Sequence, residues 1–479
     1  MPKRQTNSPD WSALAPIAPG EGPRTRAVYA ELRRLIEARR FPPGGKLPPT
    51  RELAARLDVA RGAVVAAYEQ LAAEGFVEAR QGAGTFVAHA VPAAPADAAA
   101  PRREPAPPRP QPGKLGSGTA DARTMQVLRS LYRRALERPP DSFLHYGDPR
   151  GDLALRVEIA AYLRTARGMS VAPEQVLVTG GTQAALDLAV RATLRPGDPA
   201  WIEDPCYPMA RRCLEAAGLE LTHAPVDDQG LDVARAEALR ARARAAYVTP
   251  SHQFPTGVTM TMPRRLALLD WAARTGAWIF EDDYDSEFRY TGQPLAALQG
   301  MDRAGRVIYL ASFSKAIAPG LRLGFAVLPP DLAPRALALR DAIDRYPAAL
   351  SQAVMTAFLA EGHYAAHLRR ARKRLRAARD ALVEGFACGP FAVRAPEQGL
   401  HLIAWAPPGA DEARVHAAAE AAGLSSRPLA SASFAPPARP GLVVGFAGFE
   451  PDALRAAARA ASRAVETLPG ASGAQAAGG

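Results

Sequence analysis

Apolar residues recur at three- and four-residue steps from Arg24 onward: Val28, Leu32, Leu35 and Ile36 share one face and predict an amphipathic helix. The turn signal Pro42-Pro43-Gly44-Gly45 ends it. Thr50 is then a candidate N-cap, with Arg51-Glu52-Leu53 opening a short second helix, and Leu57-Asp58-Val59 makes a turn. A third helix is predicted from Arg61 to Glu74, with Val64, Val65, Tyr68 and Leu71 as its apolar stripe. Gly75–Glu78 and Gly84–Val87 read as two short strands around Ala79–Ala83. Three helices followed by a hairpin predict a winged helix-turn-helix over residues 23–88, preceded by a polar, disordered tail at 1–22.

The pattern then lapses. Residues 89–115 are dominated by Ala and Pro, cannot supply a core, and predict a semi-extended linker. Beyond it, in the region 116–479, short apolar runs alternate with helical stretches. Gln175–Val178, Ala200–Glu203, Leu219–Pro225, Ala245–Val248, Ala277–Glu281, Val307–Ala311 and Gly324–Leu328 are strand candidates; Thr182–Leu194 and Arg264–Thr275 are helices between them. Such alternation predicts a mainly parallel sheet covered by helices, with ligands at the carboxyl ends of its strands.

Composition adds direction. The chain has 479 residues, enough for several domains, and an apolar content of 48% that excludes global disorder. Its 59 Lys+Arg against 48 Asp+Glu give a net charge of +11, a balance that favours polyanions such as DNA or an anionic ligand. Three scattered cysteines, Cys206, Cys213 and Cys388, form no disulfide framework and no C-x-x-C zinc pair, so no metal is expected. A reducing cytoplasm fits that cysteine usage, and neither a signal peptide nor a membrane span is expected.

The candidate chemistry gathers at the predicted strand ends. The run Val307–Ala311 breaks into Ser312-Phe313-Ser314-Lys315, with Arg322 after the turn Pro319-Gly320. A lysine at the end of a buried strand is costly unless its amine has a partner or a task. Two hydroxyls and a guanidinium beside it suit a phosphate. An amine beside a phosphate site suggests an aldehyde cofactor held as a Schiff base. Gly181-Thr182 opens a helix whose free amides could hold phosphate oxygens. Tyr207 follows a strand and offers a ring for stacking. Asp282, in the acidic cluster Glu281-Asp282-Asp283-Tyr284-Asp285, could keep a pyridine nitrogen protonated.

Two resemblances sharpen this reading. Phe41–Arg61 together with Ala67–Val87 is similar to the DNA-binding domain of GntR-family repressors. That likeness implies that Arg51 and Arg61 meet DNA and that Gln81 and Gly82 form a wing tip at the minor groove. Ala60 and Ala63 stand where that family usually has small hydroxyl residues, which removes two phosphate contacts. The stretch from Tyr146 to Phe325 resembles the fold-type I aminotransferases, which bind pyridoxal 5'-phosphate. The resemblance implies that Lys315 is the Schiff-base lysine, that Asp282 holds the pyridine nitrogen and that Tyr284 contacts the ring hydroxyl. It also implies that Gly181, Thr182, Ser312, Ser314 and Arg322 hold the phosphate, and that Tyr146 reaches the phosphate of a partner subunit. Two positions depart from the enzymes: Phe254 stands where asparagine precedes P-T-G, and Val443 occupies the place of a substrate-gripping arginine, for which Arg439 is the nearest substitute.

Taken together, the chain resembles the MocR/GabR group of transcriptional regulators: a GntR-type head on an aminotransferase-like body, usually a head-to-tail homodimer. The resemblance implies a cytoplasmic regulator that binds double-stranded operator DNA and senses an amino compound, or pyridoxal phosphate itself, at Lys315. An amino-acid transaminase that retains a DNA-binding head is the alternative, and a DNA-binding scaffold without cofactor is a third reading.

Overall fold

The computed structural model describes residues 24–90, 109–292 and 295–468. The chain divides into two compact units, residues 1–108 and 109–479, each taken by itself here. The expected tail at 1–22 and most of the linker lie outside the described residues.

In the first unit α1 (Arg24–Glu37), α2 (Thr50–Leu57) and α3 (Arg61–Ala73) precede the antiparallel pair β1 (Val77–Arg80) and β2 (Gly84–Val87). The predicted stripe is the core: Val28, Leu32, Leu35 and Ile36 pack with Leu53, Leu57, Val64 and Leu71. Thr50 begins α2 but does not cap it. Pro49 holds the cap position without a side-chain bond, and the Thr50 hydroxyl instead accepts from Arg61 Nε at 3.2 Å. The first wing strand starts at Val77 rather than Gly75. Gly75 has a left-handed φ of +76°, and the amides of Gly75 and Phe76 bond back to Ala72 and Leu71, closing α3.

The second unit is built on an eight-stranded sheet. In chain order its strands are β3 (Val176–Thr179), β4 (Pro199–Asp204), β5 (Glu220–Asp227), β6 (Gly230–Leu231), β7 (Ala245–Val248), β8 (Trp278–Asp283), β9 (Val307–Ser312) and β10 (Gly324–Val327). Their order in space is β3-β10-β9-β8-β7-β4-β5-β6. The run β9-β8-β7-β4-β5 is parallel, while β10 lies antiparallel to both of its neighbours. The strands are apolar on both sides because helices cover both faces. Tyr247, Phe280 and Ile308 enter one cluster, and Val248, Ile279 and Val307 enter the opposite one. A smaller sheet, β11 (Ala392–Val393), β12 (His401–Trp405), β13 (Arg427–Pro428) and β14 (Gly441–Gly445), has the order β11-β12-β14-β13.

The end of the predicted linker is hydrogen-bonded into this unit. The carbonyl of Pro112 accepts from the Ser425 amide at 2.7 Å, and that of Gly113 accepts from Gly445 at 2.8 Å.

One buried ion pair ties the sheet to its flanking helix. Arg167 Nε sits 2.8 Å from Asp283, with both side chains almost inaccessible, and Tyr309 Oη donates to the same carboxylate at 2.5 Å. Arg167→Met leaves Asp283 buried without its cation, so a loss of about 3–5 kcal/mol is expected. Thermal unfolding should show the body's transition lowered by several degrees, with partial recovery in Arg167→Met/Asp283→Asn.

Candidate cofactor and DNA-binding sites

Sheet topology brings the candidate residues to one edge. The parallel strands β4, β7, β8 and β9 all end there, delivering Tyr207, Thr249, Asp282 and Ser312–Lys315. Strand β10 runs the other way, so its amino end lies at the same edge and carries Arg322 there. β3 again ends at this edge, and its successor helix α6 (Thr182–Thr193, with α4 Ala122–Glu137 and α5 Leu153–Arg167 before it) points its amino terminus at the same place. Gly181 caps α6 with φ +113°, a conformation open to glycine. A Cβ there would lie 3.5 Å from the Arg322 guanidinium, so the helix start and the arginine are neighbours.

These groups line a cavity of about 340 Å³. Of the ten residues expected to hold the cofactor, Lys315, Asp282, Tyr284, Tyr207, Thr182, Ser312, Ser314 and Arg322 line it, and Gly181 adjoins it. Tyr146 does not. It is 75% exposed, edge-on to Tyr346 and covered by Arg345 at 4.1 Å. Ser312 lines the cavity, but its hydroxyl accepts from the Ser314 amide at 3.1 Å, a cap on the short helix that carries Lys315.

Every carboxylate of the acidic cluster is buried, and strand alternation sends neighbours to opposite sides. Glu281 accepts from the amides of Leu298 and Gln299, each at 2.8 Å. Asp283 meets Arg167. Asp282 faces the cavity, where Tyr247 Oη donates to its Oδ2 at 2.6 Å and its Oδ1 is buried without a partner. Burial raises the Asp282 carboxyl to about 7, against the hydrogen bond from Tyr247. Burial likewise lowers the Lys315 ammonium, opposed by Asp285 and Asp282. A lowered ammonium releases the neutral, nucleophilic amine more readily.

Other lining residues carry no signal in the sequence. Lys114 and Leu115, from the predicted linker, form a wall with Gly116, the first residue of the predicted body, and a Cβ on Gly116 would lie 3.2 Å from Lys315 Nζ. Arg427 lines the cavity as well; Arg439 does not, its guanidinium lying 5.5 Å from the Trp405 ring. Val443 is buried beside Phe254 and pairs with Arg427 across the β13–β14 register. Arg427 thus joins Lys315 and Arg322 in the cavity from the strand beside Val443, a pairing that no local pattern announces. His252, Asp285 and His401 offer nitrogen and oxygen atoms within 4.8 Å of one another, but His252 Nδ1 already faces Asp285 at 2.9 Å.

In the first unit Arg51, Arg61, Gln81 and Gly82 are all exposed. Arg61 starts α3, and Gly82 turns the hairpin with φ +71°. The amino end of α3 has no side-chain cap at Ala60, and the Ala63 amide bonds back to the Ala60 carbonyl at 2.9 Å.

Comparison with known proteins decides the family. Residues 113–459 match the model of aminotransferase class I and II, and residues 24–87 match that of the bacterial regulatory proteins of the gntR family. The "Probable rhizopine catabolism regulatory protein MocR" of Rhizobium meliloti is 36% identical over 466 residues, covering 90% of this chain and 92% of that protein. The chain belongs to the MocR-type transcriptional regulators. Within this family it is also similar to the "HTH-type pyridoxine biosynthesis transcriptional regulator PdxR" of Corynebacterium glutamicum, 36% identical over 76% of this chain and 78% of that one. The body is similar to a kynurenine aminotransferase of Pyrococcus horikoshii, with a TM-score of 0.67 and 27% identity over 74% of this chain and 91% of that one. As expected from sequence, the chain joins a GntR-type helix-turn-helix to a fold-type I aminotransferase domain, whose cofactor is pyridoxal phosphate. The donor set fits that group: a buried carboxylate oxygen and the Ser314 hydroxyl lack partners, and an amine, a guanidinium and a helix amino terminus surround the same space. Among the described residues no helix is long and apolar enough to cross a membrane.

The raised Asp282 carboxyl has a consequence for the cofactor-free protein. Its folded value lies above the ordinary 3.8, so its contribution to stability is present below about pH 4 and is lost as pH rises through about 7. Asp282→Asn should therefore raise the Tm of the cofactor-free protein at pH 8, with the gain fading toward pH 4, while weakening cofactor uptake. Calorimetry across that range and a cofactor titration check the two signs.

Proposed function

We propose that this regulator senses an amino compound, or pyridoxal phosphate itself, in the cavity at Lys315, and transmits occupancy through its tether to the DNA-binding head. The observation that carries this reading is the convergence of Lys315, Asp282, Arg322 and the Gly181–Thr182 turn on one cavity that Lys114–Gly116, at the tether's body end, also lines.

Bound pyridoxal phosphate supplies an aldehyde that condenses with amines and a pyridinium that withdraws electrons. Lys315 would hold the aldehyde carbon. Asp282 Oδ1 would accept the pyridine N–H, with Tyr247 fixing the other oxygen. A pyridinium beside it would draw the Asp282 carboxyl back to its ionised form. Arg322, the Ser314 hydroxyl and the first amides of α6 would hold the phosphate, with Thr182, Gly181 and Ser312 shaping that corner. Tyr207 would stack on the ring, and Tyr284 would meet its hydroxyl. Arg427, rather than Arg439, would take a carboxylate or other anionic end of the effector.

A dimer completes this reading. Phe143, Leu144, Tyr146, Leu153 and Val157 are 44–77% exposed and close in sequence, a surface suited to a second copy. From it Tyr146 would reach the partner's phosphate, in a head-to-tail arrangement. In the head, Arg51 and Arg61 would meet operator DNA, with Gln81 and Gly82 at the minor groove. We place the regulator in the cytoplasm, with a DNA-binding domain at 23–88 and an effector domain at 116–479 joined by the linker 89–115. Phe254 and Val443 in place of polar enzyme residues favour sensing over turnover.

A ligand shifts such an equilibrium only by its differential affinity for two states. Lys315→Ala should abolish the effector-dependent change in operator affinity measured by fluorescence anisotropy, with the head's basal binding retained; an unchanged response sinks the reading. Arg427→Gln should raise the effector concentration for half-response about 10- to 100-fold, as loss of a charge-assisted bond predicts. The same titration reads it, with Arg439→Gln as the neutral comparison.

A further inference from the structure

His252 is buried, and the chemistry proposed above does not use it. Its Nδ1 lies 3.1 and 2.9 Å from the two oxygens of Asp285 and 3.1 Å from the phenolic oxygen of Tyr284. Asp285 also accepts the backbone N–H of Leu400. A carboxylate serving two donors acts as an acceptor, so the ring proton of His252 belongs on Nδ1. That N–H faces both Asp285 and the Tyr284 oxygen. The Tyr284 oxygen is then on the accepting side of this contact, and its own hydrogen is left to turn toward the cavity, which Tyr284 lines with Asp282 and Lys315.

We infer that His252 and Asp285 are positioning residues that orient Tyr284 as a hydrogen-bond donor into the cofactor cavity and so set the proton affinity of the bound chromophore. The inference rests on the cofactor reading above. Packing supports it. A Cβ on Gly399 would fall 1.9 Å from the His252 ring, and one on Gly257 would lie 3.3 Å from its Nε2, so two glycines leave room for this one ring placement. His252 Nε2 is buried without a partner, which leaves the Nδ1 side as the only hydrogen-bonding edge of the ring among the described residues. Because Leu400 precedes β12, the smaller sheet contributes to the same arrangement.

The charged neighbours are fixed in number. Asp282, Asp283 and Asp285 belong to the same stretch as Tyr284, and Glu203 faces it from β4. Lys315 and Arg427 flank the cavity, while His401, held down to about 3 by burial, stays neutral. None of the variants below alters these groups except Asp285→Asn.

A hydrogen bond donated to the ring oxygen favours the unprotonated chromophore, so its loss raises the titration midpoint. The test is a pH titration of the visible absorbance of the full-length protein loaded with pyridoxal phosphate. His252→Leu and Tyr284→Phe should each raise the midpoint by about one pH unit, the double variant should add nothing, and His252→Asn, whose amide N–H can replace Nδ1–H, should stay near the parent. Where His252→Leu takes up no cofactor, Asp285→Asn carries the same comparison. An unshifted midpoint in the His252 and Asp285 variants, or equal shifts in the presence and absence of the Tyr284 hydroxyl, overturns the inference. A parent protein that forms no chromophore at all overturns instead the reading on which it rests.

Discussion

The body is organised around the burial of carboxylates at the carboxyl end of β8. Glu281, Asp282, Asp283 and Asp285 all lie out of water, where an unpaired carboxylate is very costly. Each is met differently: Glu281 by two backbone amides, Asp283 by Arg167, Asp285 by His252, and Asp282 by Tyr247 on one oxygen only. The first three are held by protein partners and do not line the cavity, although Asp283 uses only its Oδ2. The fourth leaves an oxygen facing the cavity, and burial keeps that carboxyl inclined to hold a proton until a cation arrives. Structural and chemical roles are thus separated by strand alternation within four residues.

The same edge collects its remaining parts through one topological feature. A wholly parallel sheet would carry Arg322, at the amino end of its strand, to the far side. Because β10 is inserted antiparallel between β3 and β9, Arg322 instead comes beside the start of α6. A guanidinium and a helix amino terminus, a pair suited to an anion, are thereby brought together from elements far apart in sequence.

Lys114–Gly116, where the linker meets the body, forms part of the cavity wall. The two residues before it, Pro112 and Gly113, are bonded to Ser425 and to Gly445 of β14, and the smaller sheet also supplies Arg427 and His401 to the cavity. Family membership makes the output a change in DNA binding. Phe254 and Val443 belong to one apolar cluster, against which the cavity residues Tyr207 and Tyr284 pack.

The linear order of residues determined the architecture. Helical periodicity in Val28–Ile36 and Val64–Leu71, apolar runs such as Ala245–Val248, and Gly at turns that need positive φ are local properties, and local sterics and burial act on them directly. The principal cavity residues were also legible, because strand ends in an alternating α/β chain converge on one edge and Lys315, Asp282 and Arg322 sit there. Tertiary structure alone decided what depends on pairing between distant segments. Whether Arg427 or Arg439 reached the cavity turned on the β13–β14 register. Whether Pro112 and Gly113 belonged to a tether or to the body turned on hydrogen bonds to Ser425 and Gly445, far along the chain. The contact of His252 with Tyr284 required Gly399, from the segment that leads into β12, to leave space for an imidazole. Such contacts are made by packing, which no sequence spacing encodes, and they are what distinguish this site from a generic one.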